Sequence, residues 1–211
     1  MSQKPKGILF GDYNSDPHPV NDIDKEIIKI LQDDIDVSLT EDYGSLTRDD
    51  LVGHDLVISY ANCWKEKTSP KLVHAMLSYV SGGGALLAIH NGIHMSVDFE
   101  LAQMLGGRFV RHPEYQTLGY TFADPEHPIV RGMDTWSMGE EPYQFAFDDF
   151  CEKNVFLEYT YEGGKWPAGW TIEYGLGRIA YLAPGHDVNS FMNLAFRELI
   201  LRSSRWARGI I

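Results

Sequence analysis

Two histidines close apolar runs in this chain. His90 ends Gly82-Gly83-Gly84-Ala85-Leu86-Leu87-Ala88-Ile89, and His186 ends Ile179-Ala180-Tyr181-Leu182-Ala183-Pro184-Gly185. An imidazole can carry a proton near neutral pH, ligate a metal or grip a polar ligand. An unbroken apolar run of this length reads as a strand buried on both faces, as in a parallel sheet. Ligands of such sheets bind just beyond the carboxyl ends of the strands. The two histidines are therefore expected on one rim. Glu140-Glu141-Pro142-Tyr143 adds paired carboxylates beside Trp136, Tyr143, Phe145 and Phe147. One carboxylate directed into an aromatic-walled pocket would suit a sugar, which offers C–H faces to rings and hydroxyls to polar groups.

Other candidates are weaker. His94 follows His90 by four residues and shares its face if the intervening turn is helical. His112 follows a Gly-Gly turn and His18 follows the first strand, so either can line the same crevice. His127 reads as a turn residue, and His54 and His74 as surface positions. A divalent metal held by His90, His186 and Glu141 is compatible with imidazole and carboxylate chemistry. These residues have no local ligand spacing, so the cofactor stays unknown and no metal ligand is assigned.

Several chemistries are excluded or disfavoured. No G-x-S-x-G or G-x-C-x-G turn occurs, so a covalent acyl-enzyme is not supported. Cys63 follows the third strand and reads as a small semi-buried residue. Gly82–Gly84 precede a strand, whereas a phosphate loop follows one and opens a helix. They mark a helix stop instead. A net charge of -12 without a Lys/Arg cluster argues against nucleic acid. Two distant cysteines make neither a disulfide framework nor a zinc ribbon. No signal-peptide core or membrane-length apolar run is visible, so a cytoplasmic protein without a membrane partner is expected.

The positioning elements follow from periodicity. Strands are expected at 7–10, 35–39, 56–59 and 85–89. Amphipathic helices are expected at 20–32, over Val73 to Val80, and at 99–105. Beyond Gly107, strands are expected near 117–122, 154–160, 168–173 and 178–183, and a last helix near 189–206. The order predicts one α/β domain over 1–211. Its central sheet is mostly parallel, with helices on both faces and extra, partly antiparallel strands in the C-terminal half.

Five segments resemble a known family when read together: G-G-G-A-L-L-A-I-H at 82–90, L-G-G-R-F-V-R-H-P at 105–113, D-P-E-H-P-I-V-R-G-M at 124–133, E-E-P-Y at 140–143 and G-L-G-R-I-A-Y-L-A-P-G-H at 175–186. With the R-W-A at 205–207 they are similar to the ThuA-like proteins. That family, named for trehalose utilisation, lies in the class I glutamine amidotransferase-like superfamily. The resemblance implies a flavodoxin-like three-layer sandwich with its site at strand ends. It implies that His90 stands where true amidotransferases carry the nucleophilic cysteine, so ammonia release from glutamine is not expected. It also implies a polar centre of His90, Glu141 and His186. The chain departs from many relatives in having Asn91-Gly92 after the histidine and Trp166-Pro167-Ala168-Gly169-Trp170 further on.

The leading expectation is an enzyme acting on a trehalose-type glycoside or keto-sugar by hydrolysis, elimination or isomerisation. His90 or His186 would be the general acid/base, assisted by Glu141. Asp12, Asn62, His112, Tyr143 and Trp170 would form the substrate wall. The alternative is a non-catalytic carbohydrate-binding or regulatory protein. A Cys63 amidotransferase ranks behind both. A homo-oligomer suits an acidic metabolic protein of this size, although no interface signature is visible.

Overall fold

The computed structural model describes residues 4–64 and 66–211. Five strands form the parallel part of the sheet: β1 (Lys6–Phe10), β2 (Asp36–Thr40), β3 (Leu56–Ser59), β4 (Ala85–Ile89) and, from far along the chain, β11 (Gly177–Leu182). They lie in the order β2-β1-β3-β4-β11, every neighbour parallel. All five β4 residues are buried, which explains its unbroken apolar sequence. The sheet then continues through β10 (Gly164–Tyr174), β9 (Asn154–Tyr161), β6 (Gln116–Phe122) and β7 (Trp136–Glu140), each antiparallel to the last. By that alternation β10 and β6 oppose β4, while β9 and β7 run with it. β7 therefore ends on the same rim as β4 and β11. A separate two-stranded ribbon pairs β5 (Gly107–Arg111) with β8 (Gln144–Phe147).

The helices are α1 (Ile23–Leu31), α2 (Arg48–Val52), α3 (Pro70–Ser81), α4 (Phe99–Met104), α5 (Val188–Met192) and α6 (Leu194–Ala207). α1 buries Ile23, Ile27 and Leu31, the stripe expected of helical spacing. α3 starts where the Ser69 hydroxyl accepts from Leu72 N–H at 3.1 Å, with Pro70 next, and ends at Gly82. α1, α5 and α6 touch one another, as do α2 with α3 and α3 with α4, giving two helical layers about the sheet. The mixed three-layer architecture is the one expected, although α2 lies where the sequence suggested no helix. The last helix is two helices, because Asn193 has an extended backbone and its side chain caps α6 through Phe196 N–H at 3.1 Å. Strands β5, β7 and β8 lie in a stretch where the sequence suggested no strand.

A eight-residue 3-10 segment, His90–Val97, follows β4 and presses on β3. Gly92 makes that approach possible, since a Cβ there would lie 2.1 Å from the Ser59 carbonyl oxygen. Among the described residues no helix is long and apolar enough to cross a membrane.

Candidate active site

Four chain segments meet at the rim beyond β1, β4, β7 and β11. Each contributes one side chain: His18, His90, Glu141 and His186. One ligand-capable atom from each lies within 4.8 Å of all the others. Glu141 Oε2 is the centre of the group. His186 Nδ1 lies 3.2 Å from it, His90 Nε2 3.4 Å and His18 Nε2 3.8 Å. His112 Nδ1 approaches the other oxygen, Oε1, at 3.6 Å. His90 is fully buried and Glu141 nearly so, while His186 and His112 are partly open to solvent.

Each residue is held by its local structure. His90 turns the chain out of β4 with φ 47°, a left-handed conformation costly for a residue with a Cβ and characteristic of functional turns. Its Nδ1 lies 2.7 Å from the Ala183 carbonyl oxygen. The Nδ1–H therefore donates there, and Nε2 faces Glu141. His18 also has positive φ, 66°. Its loop is tied down by Asn62, whose Nδ2 donates to Ser15 Oγ at 2.8 Å and to the Pro17 carbonyl at 2.6 Å. Glu140 fixes the His186 loop. Its buried carboxylate accepts from Gly185 N–H at 2.8 Å, from His186 N–H at 3.2 Å and from the Ser190 hydroxyl. Gly185 has φ 130°, and a Cβ on it would crowd Ile89 and His90. The adjacent glutamates thus divide the work: Glu140 anchors a loop from inside and Glu141 faces the cluster.

The electrostatics are uneven. Burial would raise the Glu141 carboxyl, but the His186 and His90 rings outweigh it and hold the group well below the usual carboxylate range. Burial opposes charge on His186, yet Glu141 and the nearby Glu140 and Asp187 charges hold its pKa above normal. Burial, reinforced by His90, pushes His18 down to about 3. Burial likewise pushes His94 down to about 3. Three buried atoms at the centre, His90 Nε2, Glu141 Oε2 and His186 Nδ1, have no hydrogen-bond partner despite their proximity. Such atoms are unusual in a native interior.

The family model for trehalose utilisation, ThuA, matches residues 12–207. The chain belongs to the ThuA family. The chain also superposes on a solved ThuA-like protein from Parabacteroides merdae ATCC 43184. That match has 18% identity and a TM-score of 0.82, covering 98% of this chain and 90% of the other. A ThuA-like protein from Bacteroides uniformis ATCC 8492 gives 16% identity and a TM-score of 0.80 over 98% and 93% of the two chains. A cytoplasmic protein from Salmonella typhimurium LT2 gives 13% identity and a TM-score of 0.72 over 96% and 99%. At such identities the likeness establishes the fold. No curated protein matches the chain in sequence.

The sequence-derived residues take different places in the structure. His90, Glu141 and His186 converge. His18, which the sequence left among the weaker candidates, joins them directly. His112 stands at the rim after β5. Tyr143 is buried and stacks on His90, ring centroids 4.2 Å apart, with its hydroxyl 3.5 Å from His18 Nε2. Asn62 holds the His18 loop and receives His94 Nδ1 at 2.8 Å. Asp12 is engaged by the Tyr43 hydroxyl at 2.8 Å, an anchor for the loop after β1. Trp170 does not reach a substrate wall. It is fully buried among Phe145, Phe147 and Tyr181, and its Nε1–H donates to the Leu105 carbonyl at 3.0 Å. A large apolar ring in the middle of β10 fills the core instead. His127, expected in a turn, is there but buried, bonded to Thr171 Oγ1 at 3.1 Å.

Proposed function

We propose that this ThuA-family protein is a cytoplasmic enzyme of carbohydrate metabolism, acting on a trehalose-type glycoside or a keto-sugar at the Glu141 centre. The reaction class is hydrolysis, elimination or isomerisation, driven by proton transfer without a covalent enzyme intermediate. The observation that carries this reading is the gathering of three imidazoles about one oxygen of Glu141 at the carboxyl ends of parallel strands, where such sheets bind ligands. Several donor and acceptor atoms then surround a single point, as oriented general acid/base chemistry on a polyol requires.

Two further features support it. Cys63 is not a competing nucleophile: it sits beside the Tyr43 hydroxyl at 3.9 Å, and burial pushes its thiol up to about 11. A thiol so shifted holds too little thiolate at neutral pH to attack a carbonyl. A cavity of about 270 Å³, lined by Trp64, His94, Ser96, Arg108 and Phe109 among others, adjoins the His94 side. It offers an aromatic face and polar groups together, which a sugar ring matches. A larger cavity of about 460 Å³ lies at the opposite end of the strands, beside His54, Gly82–Gly84 and Arg208. Neither cavity is lined by a residue of the four-residue cluster, so size does not decide the site.

The test is product formation from trehalose, other disaccharides and their keto derivatives, followed by mass spectrometry and NMR. Glu141→Gln is expected to lower turnover by roughly 10²-fold or more, the usual worth of a positioned acid or base. Turnover that survives Glu141→Gln overturns the proposal. Sugar binding with no turnover favours the non-catalytic alternative.

A further inference from the structure

We infer that His18 Nε2, His90 Nε2, His186 Nδ1 and Glu141 Oε2 are the ligands of one divalent transition-metal ion. The spacing carries the argument. Metal–nitrogen and metal–oxygen bonds of about 2.0–2.2 Å at tetrahedral angles place neighbouring ligand atoms roughly 3.3–3.5 Å apart. The three nitrogens stand 3.2, 3.4 and 3.8 Å from the carboxylate oxygen. That is the separation of ligands around a shared ion. It also lies at or beyond the usual upper range for hydrogen-bonded nitrogen and oxygen.

The orphaned atoms point the same way. His90 Nε2, Glu141 Oε2 and His186 Nδ1 are buried without hydrogen bonds. They aim at one another, and a cation would satisfy all of them together. The His90 tautomer is already set for ligation, because its Nδ1–H is committed to the Ala183 carbonyl. A ligating imidazole almost always donates its other N–H to a carbonyl or carboxylate in this way. Asn62 on the His18 loop and Glu140 on the His186 loop supply the outer support that metal sites need.

Three nitrogens and one oxygen select the ion class. Magnesium and calcium take oxygen ligands. Zinc, manganese, iron and cobalt accept imidazole with carboxylate. The partly open side at His186 leaves an approach for a sugar oxygen, which the ion would polarise as a Lewis acid. The ion site stands on geometry alone; its catalytic use rests on the sugar reaction proposed above.

The experiment strips the purified full chain with a chelator, dialyses the chelator away, and titrates cobalt(II), reading visible d–d absorption and metal content. One cobalt per chain with d–d bands is expected. His18→Ala and Glu141→Gln are each expected to weaken binding at least about tenfold, the scale on which even supporting residues act. His74→Ala, at an exposed histidine away from the cluster, is expected to bind as the parent does. If His18→Ala fails to fold, His18→Asn and Glu141→Gln carry the comparison. No stoichiometric cobalt, or binding indifferent to both cluster substitutions, overturns the inference. Undiminished sugar turnover by stripped protein overturns the ion's catalytic use and leaves the sugar reaction standing. Stoichiometric cobalt with no turnover on any sugar overturns the reaction and leaves the ion site standing.

Discussion

Glu140 and Glu141 are neighbours in the chain, and exchanging them one at a time is expected to separate folding from function. Glu140 is fully buried and satisfies Gly185 N–H, His186 N–H and the Ser190 hydroxyl. Glu140→Ala removes three bonds to a carboxylate and leaves donors without acceptors. Bonds to charged groups contribute about 1.5–3 kcal/mol each. Relief of the cost of burying the carboxyl, whose pKa burial pushes up, offsets part of the loss. The net cost is about 3–5 kcal/mol, the range for breaking a buried charged network by removing one partner. With a urea m value of about 2 kcal/mol/M, the unfolding midpoint falls by roughly 1.5–2.5 M. Glu140→Gln keeps one acceptor oxygen and costs about 1–2 kcal/mol. Glu141→Gln leaves the Glu140 bonds in place and is expected to cost clearly less than Glu140→Ala while losing the site's activity. The assay is urea unfolding followed by circular dichroism on all three variants. A midpoint for Glu140→Ala near that of the parent would refute the division of roles. So would a Glu141→Gln variant as unstable as Glu140→Ala.

Three more outcomes follow from the packing. Gly92→Ala drives a Cβ toward the Ser59 carbonyl, so the segment after His90 must lift. A cost of about 1–3 kcal/mol and a rate loss near 10²-fold from the displaced site are expected in parallel unfolding and turnover measurements. Trp170→Ala is expected to cost about 3–5 kcal/mol as a core truncation without changing KM for the sugar; a raised KM at unchanged kcat would restore Trp170 to the substrate wall. His127 is held below its ordinary pKa of 6.5 by burial, and its Nδ1 accepts from Ile129 N–H at 3.2 Å while Nε2 donates to Thr171. The unfolded chain therefore binds the extra proton first, so this contribution is full above about pH 6.5 and is lost as pH falls. His127→Gln is expected to flatten the decline in stability between pH 7 and 5; an unchanged slope would contradict this.

The sequence was most legible where one face of an element is wholly apolar or a cap is unambiguous. β3 and β4 stand at their expected residues because every side chain in them is buried. His90 and His186 were legible as strand-end residues for the same reason. His18 was legible only as a weaker candidate, because its loop carries no pattern. Its place follows from topology, since β1 is one strand removed from β4 and ends on the same rim. β7, Trp136-Ser137-Met138-Gly139-Glu140, lacks β-branched residues and gave no strand signal. Its direction nevertheless decides that Glu141 joins the histidines. Which glutamate of the pair faces the cluster depends on where β7 stops, a boundary set by pairing with β6. Trp170 was misplaced because an aromatic suited to sugar stacking and one suited to a core look alike in sequence.

A crystal structure with a bound substrate or product sugar tests the placement of the site at Glu141. Sugar oxygens are expected within hydrogen-bond distance of Glu141 and the neighbouring histidines, at the carboxyl ends of β4 and β11. A sugar seated instead in the cavity beside Gly82–Gly84 and Arg208, at the other end of the strands, would contradict it.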